Sequence, residues 1–147
     1  MTAETEPLRL WFRFIRLHQR LHGGMARQLR DIDLSIPQFD VLSTLTEQEG
    51  LTQQELAERL YVTKGNVSGL IDRLVAAELA ERRAIPGDRR SHALHLTEAG
   101  RARAKQGMAI QAEFVAGTLG RLTRQELEQL AGILGRWREI VREHVAE

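Results

Sequence analysis

Apolar residues recur every three or four positions at both ends of the chain, a spacing that places them on one face of a helix. The first pattern runs from Leu8 to Leu29, and Pro7 suits the first turn of a helix that begins there. The last pattern runs from about Thr123 to His144. Its apolar positions are Leu127, Leu130, Leu134, Trp137, Val141 and Val145. Their spacing predicts a seam that packs against another helix.

Shorter helices between these two are predicted from their start signals. A hydroxyl side chain can cap a helix by accepting a hydrogen bond from a backbone N–H of the first turn. The predicted caps are Ser35, Thr52, Thr63 and Thr97. Thr52 and Glu55 also form the pattern of a capping box, in which each side chain bonds the other residue's backbone. The helix that Thr63 caps is expected to end near Glu78.

The periodicity changes after this fourth helix. Leu79–Ile85 and Ser91–Leu96 are short stretches that predict two strands. Between them, Pro86-Gly87-Asp88 is a strong turn signal, because proline fixes φ and glycine admits positive φ. We therefore expect a two-stranded ribbon with a tip rich in arginine.

The predicted order is four helices, a β-hairpin and two further helices, so the fold class is mainly α with a small β-hairpin wing. Residues 51–101 have the order of a winged helix-turn-helix, whose second helix enters the major groove of DNA. We expect residues 35–105 to form this lobe, with dimerisation helices in 1–34 and 106–147, as one continuous structural unit. The alternative is that the end helices cover the lobe of their own chain. We favour the dimer, because the C-terminal seam continues to Val145.

Composition is that of an ordinary globular protein and excludes several chemistries. Of the 147 residues, 42% are hydrophobic and 28% are charged. No apolar run approaches the ~20 residues needed to span a bilayer, and residues 1–7 are too acidic and polar for a signal peptide. We therefore expect a cytoplasmic protein that does not bind membranes. Because cysteine is absent, disulfides, thiolate catalysis and cysteine-based redox sensing are excluded.

Charge is distributed unevenly along the chain. Residues 59–105 carry ten basic and five acidic side chains, whereas residues 1–58 carry six basic and nine acidic ones. Residues 106–147 carry five basic and six acidic side chains. A basic middle region is typical of a surface that faces an anionic polymer. A solvated charged surface explains the same pattern equally well.

The start of the second helix of the helix-turn-helix is small and polar. Asparagine and serine can bond base edges, lysine can bond a guanine or a phosphate, and glycine permits close approach. We predict DNA contacts there by Thr63, Lys64, Gly65, Asn66, Ser68 and Gly69. Arg73, further along the same helix, and Lys105 are expected to hold backbone phosphates.

The tip of the predicted wing supplies a second DNA contact. Arg89 and Arg90 stand there, and an arginine at this place is suited to the minor groove, where negative potential is concentrated. Asp88 is an unfavourable neighbour for a phosphate. We expect Asp88 to support the site by pairing with Arg90 and fixing its rotamer.

These motifs resemble the MarR family of bacterial regulators. The matching runs are LAERL at 56–60, VTKGNVSGLIDRL at 62–74, PGDRR at 86–90 and LTEAGR at 96–101. The resemblance covers nearly the whole chain, and the Asp-x-Arg wing motif followed by a strand and Leu-Thr-x-x-Gly is its most specific part. It implies a homodimer formed by the first and last helices, with Arg90 in the minor groove supported by Asp88. It also implies a small ligand between the dimerisation helices and the DNA-binding lobe, whose binding often lowers DNA affinity.

The sequence thus predicts a sequence-specific transcription regulator, more often a repressor than an activator, that binds double-stranded DNA as a homodimer. Its pseudo-palindromic operator would have half-site centres one helical turn, about 10 bp, apart. A ligand would favour a dimer whose recognition helices have the wrong spacing, so that binding and DNA affinity are coupled.

A pocket for a small aromatic or anionic effector is a further hypothesis. Aromatic walls with arginine or histidine would suit an aromatic carboxylate where the first, second and fifth helices meet. The candidate residues are Trp11, Phe14, Arg16, His18, His22, Phe39 and Met108. The competing interpretation is that Trp11, Phe14 and Phe39 are core residues.

The sequence predicts no metal, no cofactor and no catalysis. His18 and His22 have the spacing of metal ligands on a helix, but the glutamate of the zinc-peptidase pattern is missing, and surface or pocket-lining histidines are the favoured interpretation. His92 and His95 are expected on opposite faces of the wing strand. No phosphate loop, nucleophile elbow or Rossmann fingerprint occurs, so an enzyme is not expected.

Two other classes of protein remain as alternatives. A winged helix that binds protein without reading DNA would have no need for Arg89, Arg90 and a polar recognition helix. A small enzyme on a helical scaffold would need convergent catalytic groups, and the sequence shows none.

Overall fold

The computed structural model describes residues 2–60 and 64–145, with the backbone alone at 64 and 65. The chain divides into two compact units, Met1–Gln111 and Ala112–Glu147. Its helices and strands are α1 (Pro7–Arg30), α2 (Ile36–Glu47), α3 (Gln53–Leu60), α4 (Lys64–Ala76), β1 (Ala80–Ile85), β2 (Asp88–Leu96), α5 (Glu98–Gly117) and α6 (Arg124–Val145). This order confirms the predicted one. Within the described ranges, no helix combines the length and the apolarity needed to cross a membrane.

The predicted helix caps are confirmed where the structure describes them. Ser35 and Thr97 each accept the backbone N–H three residues later, at 3.2 and 2.9 Å. Thr52 and Glu55 form the predicted capping box, with hydrogen bonds of 3.1 and 3.4 Å. Thr63, the remaining predicted cap, lies outside the described residues. Local hydroxyl chemistry therefore sets where these helices begin.

The end of α4 differs from the predicted one. The helix ends at Ala76 rather than near Glu78. Glu78 has a φ of +60°, a left-handed conformation that terminates a helix. The N–H of Leu79 then bonds the carbonyl oxygen of Leu74 at 2.9 Å, which satisfies one of the last helical carbonyls.

The hairpin turn is tighter than predicted. β2 begins at Asp88 rather than at Ser91, because Ile85 pairs directly with Asp88 after a shift in register. The turn is thereby confined to Pro86 and Gly87. Gly87 has a φ of +83°, which glycine adopts without the steric cost of a side chain.

A third segment joins the hairpin at Leu51, which the sequence analysis did not predict. The N–H of Leu94 donates to the carbonyl oxygen of Leu51, and the N–H of Gly50 donates to that of Leu94, each at 2.8 Å. Gly50 reaches this position with a φ of +87°. The base of the wing is thus tied to the connection between α2 and α3.

The buried core belongs to the first unit. Its side chains come from the end of α1 through to α5, and the largest fully buried ones include Phe39, Leu42, Leu56, Ile71 and Leu94. α5 approaches this core closely through glycines. A Cβ at position 107 would lie 2.5 Å from the ring of Phe39. A Cβ at position 100 would lie 1.8 Å from the carbonyl oxygen of Leu79.

We expect Gly100→Ala to destabilise the protein strongly. A backbone carbonyl cannot move aside as a side chain can, so overpacking here should cost about 3 kcal/mol. Chemical denaturation measures this cost. Gly23→Ala is the matched control, because a Cβ there meets nothing within 4 Å, and helix propensity predicts a gain of about 0.5–1 kcal/mol. Equal effects of the two substitutions would contradict the close approach of α5.

Candidate nucleic-acid interface

α4 has one apolar face and one polar face. Its buried positions are Val67, Ile71 and Leu74. Asn66 and Arg73 are exposed, and Ser68 and Gly69 are half-buried. The spacing of four and three fixes the apolar side on the core, so the polar side is left for solvent or a ligand.

Two of the predicted contacts lie at the start of this helix. The backbone of Lys64 and Gly65 forms its first turn. Thr63 lies outside the described residues. The roles of these three residues therefore stay predictions.

Arg82 connects the wing to both helices of the helix-turn-helix. Its Nε donates to Oε1 of Gln53 at the start of α3, at 3.1 Å. Its Nη2 lies 2.5 Å from Oδ1 of Asp72 on the exposed side of α4. The sequence gives no signal for these contacts, because Gln53 and Asp72 lie 29 and ten residues away from Arg82. The strand, α3 and α4 are thereby held as one surface.

The wing tip corrects the expected role of Asp88. Its Oδ1 accepts the backbone N–H of Arg90 at 3.0 Å, so it fixes the backbone rather than the guanidinium. A carboxylate readily bonds the N–H two residues on, because the turn brings that group within reach. This N–H, followed by the hydroxyl of Ser91, holds the pKa of Asp88 below its usual value. Arg89 and Arg90 are both exposed.

A second cluster braces the base of the wing. Glu49, on the connection after α2, bonds Nδ1 of His95 on β2 at 3.1 Å and Nη2 of Arg101 on α5 at 2.6 Å. Partial burial raises the pKa of Glu49, but the hydrogen bonds from His95 and Arg101 outweigh it and bring the pKa below 4.5. The cluster joins three parts of the fold, and none of its contacts was predicted from the sequence.

We expect Glu49→Gln to remove part of the protein's resistance to acid. A carboxylate whose pKa is lower in the folded chain stabilises it above the unfolded value, here 4.5, and this contribution is lost as the pH falls through the folded pKa. The variant should therefore melt below the parent at pH 7, and the gap should close well below pH 4.5. Thermal melts across this range measure it. Glu113→Gln, at an exposed site, is the control, and a gap that is constant with pH would refute the role of Glu49.

The sequence profile of the MarR family matches residues 32–91, the part that contains the helix-turn-helix and most of the hairpin. Over these residues the chain is similar to the MarR family. This match confirms the resemblance that was drawn from the sequence. The order of helices and the two-stranded hairpin confirm the predicted winged helix-turn-helix fold. The MarR family consists of DNA-binding transcription regulators.

Individual relatives and a solved structure agree with this similarity. An HTH-type transcriptional regulator of Bacillus cereus is 29% identical over 121 residues, 82% of this chain and 80% of the relative. The HTH-type transcriptional repressor NicR of Pseudomonas putida is 34% identical over 85 residues, 58% of this chain and 54% of NicR. A mutant of MarR from E. coli in complex with operator DNA superposes with a TM-score of 0.80 at 25% identity, covering 92% of this chain and 98% of that one.

The predicted effector residues are spread over different surroundings. Phe39 is 2% exposed and belongs to the core, whereas Trp11 and Phe14 are 49% and 39% exposed. Met108 lines a groove of about 290 Å³ with Thr46, Glu49, Leu96, Arg101 and Lys105. Arg16 lines another groove, with Glu4, Arg9, Phe12 and Arg13. The core interpretation therefore holds for Phe39 and for neither of the other two aromatic residues.

The histidine pair of α1 lies side by side. The rings of His18 and His22 have centroids 6.1 Å apart, and the ring of Phe14 follows at 6.4 Å from His18. Burial raises the pKa of Asp40 on α2, and nearby His22 partly offsets this rise. Among the described residues, no three His, Cys, Asp or Glu side chains form a group that could hold a metal ion.

Proposed function

We propose that this chain is a ligand-responsive repressor of the MarR family and acts as a homodimer on a pseudo-palindromic operator. One observation carries the proposal. Arg82 bonds both Asp72 of α4 and Gln53 of α3, so the polar side of α4 and the arginine-bearing wing are parts of one rigid surface. Two elements fixed to each other can enter neighbouring grooves of one duplex together.

Each DNA contact has a separate role in the proposal. Residues at the start of α4 read base edges in the major groove, Arg73 positions a phosphate, and Arg90 enters the minor groove. The proposed contacts are Thr63, Lys64, Gly65, Asn66, Ser68, Gly69, Arg73, Arg89 and Arg90, with Asp88 in support. The bond from Asp88 to the backbone at Arg90 shapes the wing tip before DNA arrives.

Exposed apolar side chains on the end helices support the homodimer. On α1 these are Leu8, Leu10, Trp11, Phe12, Phe14, Leu17 and Leu21; on α6 they are Ile133, Leu134, Ile140, Val141 and Val145. Patches of this kind mark protein interfaces, because each large side chain gains about 1.5–3 kcal/mol when it is buried. A second copy of the chain is the proposed partner, with residues 1–34 and 106–147 as its interface.

Repression and ligand response complete the proposal. NicR, which is similar to this chain over 85 residues, is a transcriptional repressor. Trp11, Phe14, Arg16 and His18 offer aromatic and cationic groups on α1, which suit an aromatic carboxylate. A panel of aromatic acids tests the response. An effector should raise the melting temperature and weaken operator binding, and a panel that changes neither would remove this part of the proposal.

DNA selection tests the central claim. Genomic fragments bound by the purified dimer should contain a shared palindromic sequence, and the selected duplex should bind at least about a thousandfold more tightly than a random one. Binding should be measured at several salt concentrations, because phosphate contacts make affinity depend on salt. Equal affinity for selected and random duplexes would contradict sequence-specific regulation.

We expect Arg73→Ala to lower the salt dependence of operator binding. Arg73 is exposed on the polar side of α4, and losing one phosphate contact should reduce the slope of log K against log salt by roughly one unit per protomer. Titrations between low and moderate salt measure the slope. Arg121→Ala, an exposed arginine outside the helix-turn-helix, should leave it unchanged. An unaltered slope for Arg73→Ala would remove Arg73 from the interface.

A further inference from the structure

A shallow groove of about 150 Å³ lies between the start of α3 and the start of β2. It is lined by Thr52, Gln53, Gln54, Arg90, Ser91 and His92. Each of these side chains can donate a hydrogen bond, and none is a carboxylate or an apolar group. Such a lining favours a ligand that carries several acceptor oxygens.

This lining distinguishes the groove from the two others already described. The groove beside Met108 contains Glu49, and the groove beside Arg16 contains Glu4. A carboxylate in the wall repels an anion, whereas a guanidinium attracts one and an imidazole N–H can donate a hydrogen bond to it. The grooves beside Met108 and Arg16 also contain cationic side chains, but of these three grooves the one between α3 and β2 alone combines an arginine with the absence of a carboxylate.

Existing hydrogen bonds orient donors in this lining. Oε1 of Gln53 accepts from Arg82, which leaves the Nε2 amino group of that amide for another partner. The oxygen of Thr52 accepts from the N–H of Glu55, so its own O–H can still donate. Bonds to protein neighbours thus prepare these two side chains for an acceptor.

We propose that the groove between α3 and β2 seats one phosphodiester group of the operator backbone. The inference rests on the proposed function, since it adds a contact to the same DNA surface. A volume of about 150 Å³ suits a single phosphate group rather than a drug-sized ligand, whose pockets usually measure about 300–1,000 Å³. Arg90 borders the groove and belongs to the wing tip, so a strand that passes the wing also passes this groove.

The proposed phosphate site positions the protein on the duplex and does not read the base sequence. Contacts to phosphates fix the register of a protein on the duplex and are indifferent to the bases. Loss of the Gln54 and His92 side chains should therefore lower the affinity for operator and random duplexes by the same factor. A residue that reads bases would instead change the ratio of the two affinities.

The test uses the full-length double variant Gln54→Ala/His92→Ala, whose two positions are exposed and carry no base contact in the proposed function. Two lost donors to a charged group should raise the dissociation constant of operator and random duplexes by about tenfold or more. Gln129→Ala, at an exposed site on α6, is the control and should leave both constants unchanged. Unaltered melting temperatures show that the comparison is between folded proteins, and the single variants replace the double one if it melts early.

Methylphosphonate scanning identifies the contacted phosphate. Operators that carry one uncharged phosphate at a time are bound to the parent and to the double variant. We expect one phosphate per half-site whose replacement lowers the operator affinity of the parent by about tenfold. The same replacement should not change the affinity of the double variant, because the uncharged phosphate and the two alanines remove the same contact. Identical scans for the two proteins would overturn the proposed phosphate site.

Further outcomes separate this proposal from the function on which it rests. If the parent binds no duplex specifically, the proposed function fails and the phosphate site fails with it. A second outcome is that the parent binds its operator, that Arg90→Ala lowers this affinity, and that the double variant binds normally. In that case the phosphate site between α3 and β2 is refuted and the proposed function stands. A free anion is the other source of this chemistry. If inorganic phosphate shifts the amide NMR signals of residues 52–54 and 90–92 while every methylphosphonate operator binds normally, the groove holds a free phosphate and not DNA.

Discussion

Arg90→Ala is expected to weaken operator binding by at least about a hundredfold. A hydrogen bond to a charged group contributes about 1.5–3 kcal/mol, and a symmetric dimer loses it twice. The guanidinium is exposed at the wing tip, so its removal takes nothing from the core. Fluorescence anisotropy with a labelled operator measures the change.

The backbone of the wing should survive this substitution. Asp88 bonds the N–H of residue 90 and not its side chain, so the alanine variant keeps that bond. The loss of affinity then reports on the DNA contact alone. If Asp88 bonded the guanidinium, the substitution would also leave the carboxylate without its partner. The change in affinity would then combine this effect with the loss of the DNA contact.

Arg83→Ala is the matched control for the wing. Arg83 lies on the same hairpin, is exposed, and pairs with Glu81 at 2.5 Å rather than with the helix-turn-helix. Its removal should alter operator affinity by less than about threefold, since an exposed ion pair contributes little. Equal losses from Arg83→Ala and Arg90→Ala would indicate a general charge effect and would contradict a specific role for Arg90.

Local signals explain which parts of the fold could be predicted. The caps at Ser35, Thr52 and Thr97 each join residues three positions apart, so the sequence contains both partners side by side. The left-handed residue that ends α4 is Glu78, a residue type that gives no signal for positive φ. For this reason the helix ends before the position predicted from the sequence.

Long-range pairs explain what could not be predicted about the site. Arg82 bonds Gln53, which lies 29 residues away in the sequence, and Glu49 bonds Arg101, which lies 52 residues away. No spacing rule connects such positions, because the pairing follows from how the elements pack. The arginines at the wing tip could be predicted from the sequence, but the residues that hold the wing in place became visible only in the folded chain.

The effector site shows the same limit in a different way. Phe39 was a candidate because aromatic residues line ligand pockets as well as cores. Its ring packs where Gly107 leaves room, at 2.5 Å from the position of a missing Cβ. The room left by Gly107 in α5 therefore allows Phe39 to be buried in the core. The spacing of the two residues in the sequence does not predict this contact.

Leu134→Asp is expected to abolish the dimer and, with it, operator binding. Leu134 lies in the predicted seam of α6 and is 46% exposed in the single chain, so an aspartate there should not disturb the fold of one copy. Within a dimer interface the same carboxylate would be buried without a partner in both copies. Breaking an interface in this way costs about 3–5 kcal/mol for each buried charge, which amounts to more than a thousandfold in the dimer dissociation constant.

Sedimentation velocity measures the dimer, and anisotropy measures binding to the operator. Gln129→Asp adds the same charge at an exposed site on the same helix and should leave both unchanged. Circular dichroism of the Leu134→Asp variant should keep its helical content, which separates loss of the partner from loss of the fold. One protomer can occupy only one half-site, so binding to the full operator should fall to that of a half-operator. A variant that remains dimeric would show that α6 packs against something other than a second copy, and the proposed interface would have to be abandoned.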